Sequence, residues 1–352
     1  MCHTIVELEK IPWGLRDQPS VREIYEEFKK SFVNLVDLPT ADEARVLPKD
    51  VIPDLLVEFK EILSNILERH ANVNFMMGMG IFELKESGFD DNKLNQLTRF
   101  LDRFYMSRIG IRTQMQQHIT TFSGVKKEGW VGVFEIQCDL KRIIEEAVDY
   151  ASSLCRHHYC DAPPVNIHVP LGDSTMVYIP SHIHYMLSEV LKNSFRAVLE
   201  FHGEDKVQYP PIEINIYMKD KEVVIKISDL GGGLPQTLQK RLFSYSFSTA
   251  SRPNVARLRA GDNPFAGFGY GLALSRLHAR YLGGDMFVRP VYGYGTDVYI
   301  HLNNFHHAFE VLPSLDRAVL RIYEKGGDAP TNWMEIENQL NHNLTVKPII
   351  KD

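Results

Sequence analysis

The chain has 352 residues, 44% of them hydrophobic and 24% charged, which is the composition of a folded globular protein and not of a disordered or fibrous one. Its length predicts two domains. A formal net charge of −6 argues against a general nucleic-acid-binding surface, and no run of residues approaches the ~20 apolar positions of a membrane span. We therefore expect neither a nucleic acid nor a membrane as a partner.

The first residues and the cysteines bear on the compartment. The start, MCHTIVELEKIPWGLRD, carries acidic residues and a proline where a signal peptide has an apolar run, and it lacks the acid-poor character of a transit peptide, so no targeting peptide is predicted. The spacing of Cys2, Cys138, Cys155 and Cys160 fits neither a zinc site nor a disulfide framework. Reduced thiols in an intracellular compartment are the simplest interpretation.

Long amphipathic segments fill the first third of the chain. Apolar residues recur at helical spacing in VREIYEEFKKSFVNLV, VIPDLLVEFKEILSNILERH and NKLNQLTRFLDRFYMSRIGIRTQMQQHITTF. Turns separate these segments, which predicts a helical bundle.

Beyond the polar, glycine-containing stretch SGVKKEGWVGV the pattern changes. The strand-like segments VNIHV, MVYI, IEINIYM, EVVIKIS, DMFVRP and YGTDVYIHL occur among the helical segments LKRIIEEAVDYASSLC and SHIHYMLSEVLKNSFRAVLEFH. Strands mixed with helices predict an α/β sandwich. The expected fold is α+β, with a helical domain at 1–130, an α/β sandwich domain at 131–305 and a C-terminal tail at 306–352.

One predicted helix, 181–202, carries polar residues on one face. Glu189, Asn193 and Arg196 recur at i, i+4 and i+7, so an acid, an amide and a cation lie together. Taken alone, a solvated helix face explains this pattern better, although asparagine is a poor helix former in mid-helix.

A carboxylate and three glycines follow a predicted strand in VVIKISDLGGGLPQ. Asp229 can accept a hydrogen bond from the exocyclic amine of a purine, and glycines let the backbone pass close to a planar ring. A tight turn after a strand explains the same residues equally well.

A second glycine motif precedes a predicted helix in PFAGFGYGLALSRLHARYLGG. Gly267, Gly269 and Gly271 lead into that helix, whose free backbone N–H groups can bind phosphate. The motif is weak on its own. It lacks the Gly-Lys-Ser/Thr of a P-loop, no strand leads into it as in a Rossmann fold, and no H-R-D or D-F-G accompanies it.

The order of the three motifs, E-x-x-K-N, D-x-G-G-G and G-x-G-x-G, is more specific than any one of them. It resembles the ATP-binding fold shared by histidine kinases, type II topoisomerases, the Hsp90 chaperones and mitochondrial protein kinases. The finer segments FLDRFYMSRIGIR, VYIPSH, LKNSFRAVLE, LFSYSFSTA, AGFGYGLALSRLHARYLGGDM and GYGTDVYIHL resemble the pyruvate dehydrogenase kinases. This resemblance runs from about Pro12 to the tail and implies a helical domain followed by an ATP-binding domain.

The resemblance implies a kinase that uses ATP and Mg²⁺ to phosphorylate a serine of the E1α subunit of the pyruvate dehydrogenase complex and so inactivates it. Glu189 would be the general base that accepts the serine proton, and Asn193 would hold Mg²⁺. Asp229, with Gly233 and Thr296 nearby, would bind adenine. The full set of expected nucleotide-binding residues is Asn193, Arg196, Asp229, Gly231, Gly233, Ser248, Thr249, Gly267, Phe268, Gly269, Tyr270, Gly271, Leu272 and Thr296.

The same resemblance implies regulation and partners. Arg112 and His70 match a pyruvate effector site between helices, and Trp333 matches a tail tryptophan used in dimer cross-over, although Asn332 precedes it where the family has Asp. FSTASRPNVARLRAGDNPFAG matches a lid over the nucleotide, although simple solvation explains its Arg252, Arg257 and Arg259 equally well. The expected partners are E1α, the lipoyl domain of E2 and a second copy of the chain, and the expected location is the mitochondrial matrix.

The sequence departs from the family in three places. Tyr185 stands four residues before Glu189 where many of these kinases have a histidine, but branched-chain α-ketoacid dehydrogenase kinases resemble this chain there, so Tyr185 does not exclude activity. Leu230 replaces a common arginine and is interpreted as a packing change. The chain also begins where the family's opening helices end, so we expect weakened docking to the lipoyl domain and less covered apolar faces at Phe28, Phe32, Leu56 and Phe59.

Three alternatives stay open. One is a branched-chain α-ketoacid dehydrogenase kinase. Another is a non-catalytic nucleotide-binding regulator of the same fold, against which the presence of both Glu189 and Asn193 argues. The third is a histidine autokinase that phosphorylates His118; an isoleucine and not an acid follows His118, which favours a packing or effector role.

Overall fold

Helices come first in the chain and a mixed α/β region follows. The computed structural model describes residues 1–11, 14–48, 50–88, 91–123, 127–169, 174–203, 208–219, 222–245 and 269–304. The first helices are α1 (Cys2–Glu9), α2 (Pro19–Val36), α3 (Ala41–Arg45), α4 (Ile52–Arg69), α5 (Val73–Glu86) and α6 (Asp91–Phe122). A membrane crossing needs a longer apolar helix than any found in these ranges.

The later elements build two sheets with helices packed beside them. They are β1 (Trp130–Val131), β2 (Phe134–Asp139), α7 (Leu140–Tyr159), β3 (Val165–His168), β4 (Thr175–Tyr178), α8 (Pro180–His202), β5 (Ile212–Lys219), β6 (Glu222–Asp229), α9 (Gln236–Gln239), α10 (Gly271–Tyr281), β7 (Asp285–Val291) and β8 (Gly295–Asn303). The smaller sheet has the order β1-β2-β4 and the larger β3-β5-β6-β8-β7. In the larger sheet β3 and β5 are parallel and the other neighbours antiparallel. The predicted α+β class is confirmed.

The larger sheet and α8 share a core because their apolar periods match. On β5 and β6, alternate residues are buried, and α8 buries a broad apolar stripe. Full burial of each such aliphatic side chain contributes ~1.5–3 kcal/mol. α7 and α10 both pack against α8 as well. This burial holds α8 in place beside the end of β6, where Asp229 lies.

Helices α1, α3 and α5 were not predicted. The segment VNFMMGMGIFELKE is apolar on most sides and contains Gly78 and Gly80, so it shows no amphipathic period. A Cβ at Gly80 would collide with the side chain of Val21, and α5 can therefore lie close against α2 only because it has glycine there. A helix buried on several sides has no polar face for a pattern search to find.

The apolar surface of α2 is better covered than expected. Phe28 is 1% exposed and stacks on His70 with ring centroids 4.2 Å apart, so the expectation of a less covered Phe28 is wrong. Phe32, Leu56 and Phe59 are partly buried. Packing between α2, α4 and α6 supplies the cover.

Contacts join the helical part to the α/β part. Tyr245 donates a hydrogen bond of 2.7 Å to Asp102 of α6, and Tyr270 donates one of 3.4 Å to the backbone oxygen of Gly78 in α5. One core of buried apolar residues runs through both parts. The domain boundaries at residues 130 and 305 stay a prediction.

Candidate active site

The polar face of α8 is partly enclosed. Glu189, Asn193 and Arg196 lie on successive turns, as their spacing predicts, and each is partly buried. Arg196 lies 3.6 Å from Glu200, its neighbour at i+4. A freely solvated helix face would leave all three exposed, so that explanation does not fit the structure.

A lysine that the sequence reasoning did not single out lies beside Glu189. The ammonium of Lys192 is 2.6 Å from Glu189 Oε1, and the two side chains are 5% and 17% exposed. A buried ammonium requires a paired charge because burial removes it from water. The residue was visible as the K of the E-x-x-K-N motif, but spacing alone did not show that it pairs with the acid.

The start of α10 meets the same carboxylate. A Cβ at Gly271 would collide with Glu189 Oε2 unless that side chain shifted, so glycine allows this close approach. Gly269 has φ +86°, a left-handed conformation that favours glycine. Within the described residues, no side chain caps the first N–H groups of α10. The structure therefore brings the first and third sequence motifs together.

Asp229 is buried at the end of β6 and held by three donors. Oδ1 accepts the backbone N–H groups of Gly231 at 3.0 Å and Thr296 at 3.2 Å, and Oδ2 accepts Ser194 Oγ at 2.9 Å. Burial raises the pKa of the Asp229 carboxyl above its usual value, and these hydrogen bonds offset part of that shift. A carboxylate has about four lone-pair sites, so Oδ2 has room for one further donor such as an exocyclic amine.

The glycines after Asp229 pack against protein, and the expectation that their backbone also passes beside a planar ring stays a prediction. A Cβ at Gly231 would lie 2.5 Å from Ala197 Cβ on α8, one at Gly232 would collide with the Phe201 ring, and one at Gly233 would collide with the backbone of Val291. Gly232 and Gly233 also have φ of +74° and +57°. Close packing of the turn on α8 and on the β7–β8 connection is the reason for glycine here. This turn supplies one of the three donors that hold Asp229, the backbone N–H of Gly231.

The remaining predicted nucleotide residues divide into two groups. Tyr270 is 7% exposed and its hydroxyl bonds within the core, so only its backbone is available to a ligand, while Leu272 and Thr296 are partly buried. The others lie outside the described residues, as do the predicted lid with its arginines and the tail: Ser248, Thr249, Gly267, Phe268, Arg252, Arg257, Arg259 and Trp333.

A cationic cluster lies between α2, α4 and α6, at the predicted effector residues. His70 is 1% exposed, and burial lowers its pKa to about 4. Arg112 donates to the backbone oxygen of Leu67 at 3.2 Å, and burial lowers its pKa. Ser31 Oγ lies 2.9 Å from His70 Nε2.

Arg108 belongs to this cluster and was missed by the sequence reasoning. Its guanidinium donates to His70 O at 2.8 Å and to Asn74 at 2.9 Å, while Nη1 is buried and has no hydrogen-bond partner in the part of the chain that the structure describes. Burial, followed by the charge of Arg112, lowers the Arg108 pKa to about 9. A buried, unsatisfied guanidinium nitrogen next to a second arginine is a suitable site for a small carboxylate.

The surroundings of His118 and Tyr185 bear on the alternative functions. His118 lies between Phe59 and Phe122, with ring centroids 4.8 Å and 4.3 Å away, which fits the packing role expected for it. Tyr185 is partly buried, and burial, followed by the charge of Glu189, raises its pKa well above the usual value. Tyr185 therefore stays a neutral phenol near Glu189.

The sheet, α8 and the carboxylate at the end of β6 define an ATPase fold. Residues 178–305 match the family model described as "Histidine kinase-, DNA gyrase B-, and HSP90-like ATPase". Residues 1–135 match a second family model, "Mitochondrial branched-chain alpha-ketoacid dehydrogenase kinase". The class of protein is thus an ATP-using kinase with a preceding helical region.

Whole-chain similarity identifies the family. The chain is 36% identical to mouse pyruvate dehydrogenase (acetyl-transferring) kinase isozyme 3, over 94% of this chain and 80% of the relative. It is 35% identical to the kinase of Ascaris suum over 98% and 86%, and 37% identical to that of Arabidopsis thaliana over 88% and 82%. The chain belongs to the pyruvate dehydrogenase (acetyl-transferring) kinase family. All three relatives are named mitochondrial, which supports a mitochondrial location for this chain.

Proposed function

We propose that this protein is an ATP-dependent serine kinase that phosphorylates the E1α subunit of the pyruvate dehydrogenase complex and thereby inactivates it. The observation that carries the proposal is the convergence of Glu189, Gly271 and the α10 N-terminus on one side of α8. The family membership supports the kinase class and the ATP substrate.

The described residues fit ATP as the substrate. Asp229 has an acceptor position left for the adenine amine, and the backbone N–H groups at the start of α10 suit the negative charge of the phosphates. A Cβ at position 271 would fill the space next to Glu189. We assign adenine recognition to Asp229 and phosphate binding to the start of α10.

Glu189 is the general base in this proposal. Its carboxylate takes the proton of the serine hydroxyl as the serine oxygen forms a bond to the γ-phosphorus, and the bond from that phosphorus to the β-γ bridging oxygen breaks. ADP leaves with the electron pair of the broken bond. A positioned general base contributes ~10²–10⁴-fold to the rate.

Asn193 is assigned to Mg²⁺. Its amide lies one turn after Glu189 and is partly buried, and an amide oxygen suits this hard cation. The described residues contain no cluster of three or more His, Cys, Asp or Glu residues that would form a metal cage of protein ligands alone. Mg²⁺ is usually bound by one or two protein oxygens plus substrate phosphates and water. Mg²⁺ bound there offsets the phosphate charge.

The pyruvate complex is the favoured substrate source. The relatives that match most of the chain carry names of pyruvate dehydrogenase kinases, whereas the branched-chain name belongs to the model for residues 1–135. We also propose the lipoyl domain of E2 as a docking partner and the mitochondrial matrix as the location.

A homodimer is proposed as well. Among the described strands β7 ends the larger sheet, and Val291 is 59% and Phe287 37% exposed along it. Exposed apolar side chains along a strand that ends a sheet form a surface that a second copy of the chain can cover. The expected measurement is a dimer mass in analytical ultracentrifugation.

Phosphate transfer to purified E1α, followed by mapping of the modified serine, tests the function. The wild-type chain is expected to label E1α, and E189Q to lose ~10²–10⁴-fold in rate while it still binds ATP. Glu145→Gln is the control, since Glu145 lies on α7 and is 52% exposed. No labelling by the wild type would support the regulator alternative, and acid-labile phosphate on His118 would support the autokinase.

A further inference from the structure

Lys192 has no role in the function proposed above, although it lies beside the proposed base. Its side chain is 5% exposed, and its ammonium is 2.6 Å from Glu189 Oε1. It occupies a position on the buried side of α8, where most residues are apolar. Burying a charged side chain costs free energy, and leucine or methionine would fill the same space without that cost.

The ion pair gives the two oxygens of Glu189 different surroundings. Oε1 contacts the Lys192 ammonium, whereas Oε2 lies against Gly271, the first residue of α10. Oε2 is therefore the oxygen next to the assigned phosphate site. A glutamate side chain has several rotatable bonds, and without a partner its carboxylate would sample many orientations.

We propose that Lys192 is a positioning residue for phosphate transfer: it binds Glu189 Oε1 and so holds Oε2 beside the start of α10, where the serine proton is received. The inference rests on the proposed role of Glu189. Oε2 takes the proton, and the Lys192 ammonium keeps its three protons and remains bonded to Oε1 throughout. Lys192 acts through Glu189 and contacts neither the serine nor the nucleotide.

Steady-state kinetics of E1α phosphorylation by the full chain test this role. Lys192→Met keeps the length of the side chain but removes its donors. We expect kcat to fall about 10²-fold, because misplacing a reacting group by about 1 Å has that effect, while KM for ATP changes little. Lys192→Arg retains a cationic donor and is expected to recover part of the lost kcat.

The matched control is Lys141→Met. Lys141 lies 3.7 Å from Glu145 in a helical ion pair on α7, but both of those side chains are about half exposed, at 55% and 52%. Wild-type kinetics are expected for this variant. Thermal melting of each variant measures whether it folds.

A double variant separates positioning from direct binding. If Lys192 acts only through Glu189, E189Q combined with Lys192→Met loses about as much kcat as E189Q alone. Additive losses, a raised KM for ATP with unchanged kcat, or wild-type kcat in Lys192→Met would each overturn the inference.

If Lys192→Met does not fold, Lys192→Gln replaces it, because glutamine keeps a donor without the charge. The kcat of Lys192→Gln should lie between those of wild type and E189Q. A kcat equal to that of E189Q overturns the inference. If the wild-type chain does not phosphorylate E1α, the proposed function fails together with this inference. If the wild type is active, a failed test concerns Lys192 alone.

Discussion

Ser194 Oγ donates a hydrogen bond of 2.9 Å to Asp229 Oδ2 and so ties α8 directly to the carboxylate at the end of β6. Ser194 is 3% exposed and immediately follows Asn193. The residue assigned to Mg²⁺ and the residue assigned to adenine are thus connected through one buried hydrogen bond.

Ser194→Ala should weaken ATP binding. A hydrogen bond to a charged group contributes ~1.5–3 kcal/mol, so we expect roughly tenfold lower affinity and a free energy of unfolding lowered by a similar energy. Calorimetric titration and chemical denaturation measure the two effects. Ser188→Ala is the control, because Ser188 is equally buried on α8 and lies 3.4 Å from His184. Equal ATP affinity in both variants would contradict the role of the Ser194 bond.

Asp229→Asn should abolish measurable ATP binding. An asparagine amide keeps the shape of the side chain but replaces one acceptor oxygen by a donor, which then faces the N–H groups of Gly231 and Thr296 or the incoming amine. Asp297→Asn is the control, since Asp297 lies on the neighbouring strand and is 34% exposed. Wild-type affinity in Asp229→Asn, with a normal melting temperature, would refute the adenine assignment.

Pyruvate should bind between α2, α4 and α6 through the buried guanidinium groups. We expect Arg108→Gln and Arg112→Gln to weaken pyruvate binding at least about tenfold, because charge-assisted hydrogen bonds to a carboxylate are lost. Arg103→Gln is the comparison on the same helix, where Arg103 lies 2.9 Å from Glu7. Pyruvate titrations monitored by the chemical shifts of His70 report binding at this place. Unchanged affinity in both arginine variants would exclude the cluster as the effector site.

Stability should fall on mild acidification. Burial lowers the pKa of His70 and of His182 to about 4 from an ordinary 6.5, and it lowers that of His278 well below the ordinary value. The unfolded chain therefore binds more protons, and the free energy of unfolding decreases as pH falls from about 6.5 to about 4.

His70 and His182 each contribute on the order of 3 kcal/mol to this decrease in the free energy of unfolding. Urea denaturation at a series of pH values measures the slope, and His182→Phe should reduce it. A slope that is the same in that variant would show that His182 is not neutral in the folded state.

Several elements could be predicted because their signals are local. α8 has an amphipathic period, β5 and β6 alternate, and the glycines at 269 and 271 mark the start of α10. α5 could not be predicted in the same way, because packing against α2 at Gly80 replaces the polar face that a surface helix would show. The turn at Asp229 was predicted, but its glycines pack on α8 and the β7–β8 connection.

Contacts between functional residues were harder to predict from the sequence. Lys192 was within a recognised motif, yet nothing in its spacing distinguished a buried ion pair with Glu189 from a solvated lysine. Arg108 was four residues from the predicted Arg112 and was missed, because its importance comes from its burial beside His70, 38 residues earlier.

The sequence by itself determined the class of fold, the order of the three polar motifs and the family, since these depend on residue type and spacing along one chain. The tertiary structure decided which groups meet: Glu189 with Gly271, Asp229 with Ser194, and Arg108 with His70. The physical reason is that hydrogen bonds and ion pairs act over a few ångströms, while the residues that make them are tens of positions apart. Their burial, and hence the strength of these contacts and the shifts in pKa, arises only when the helices and the sheet pack together.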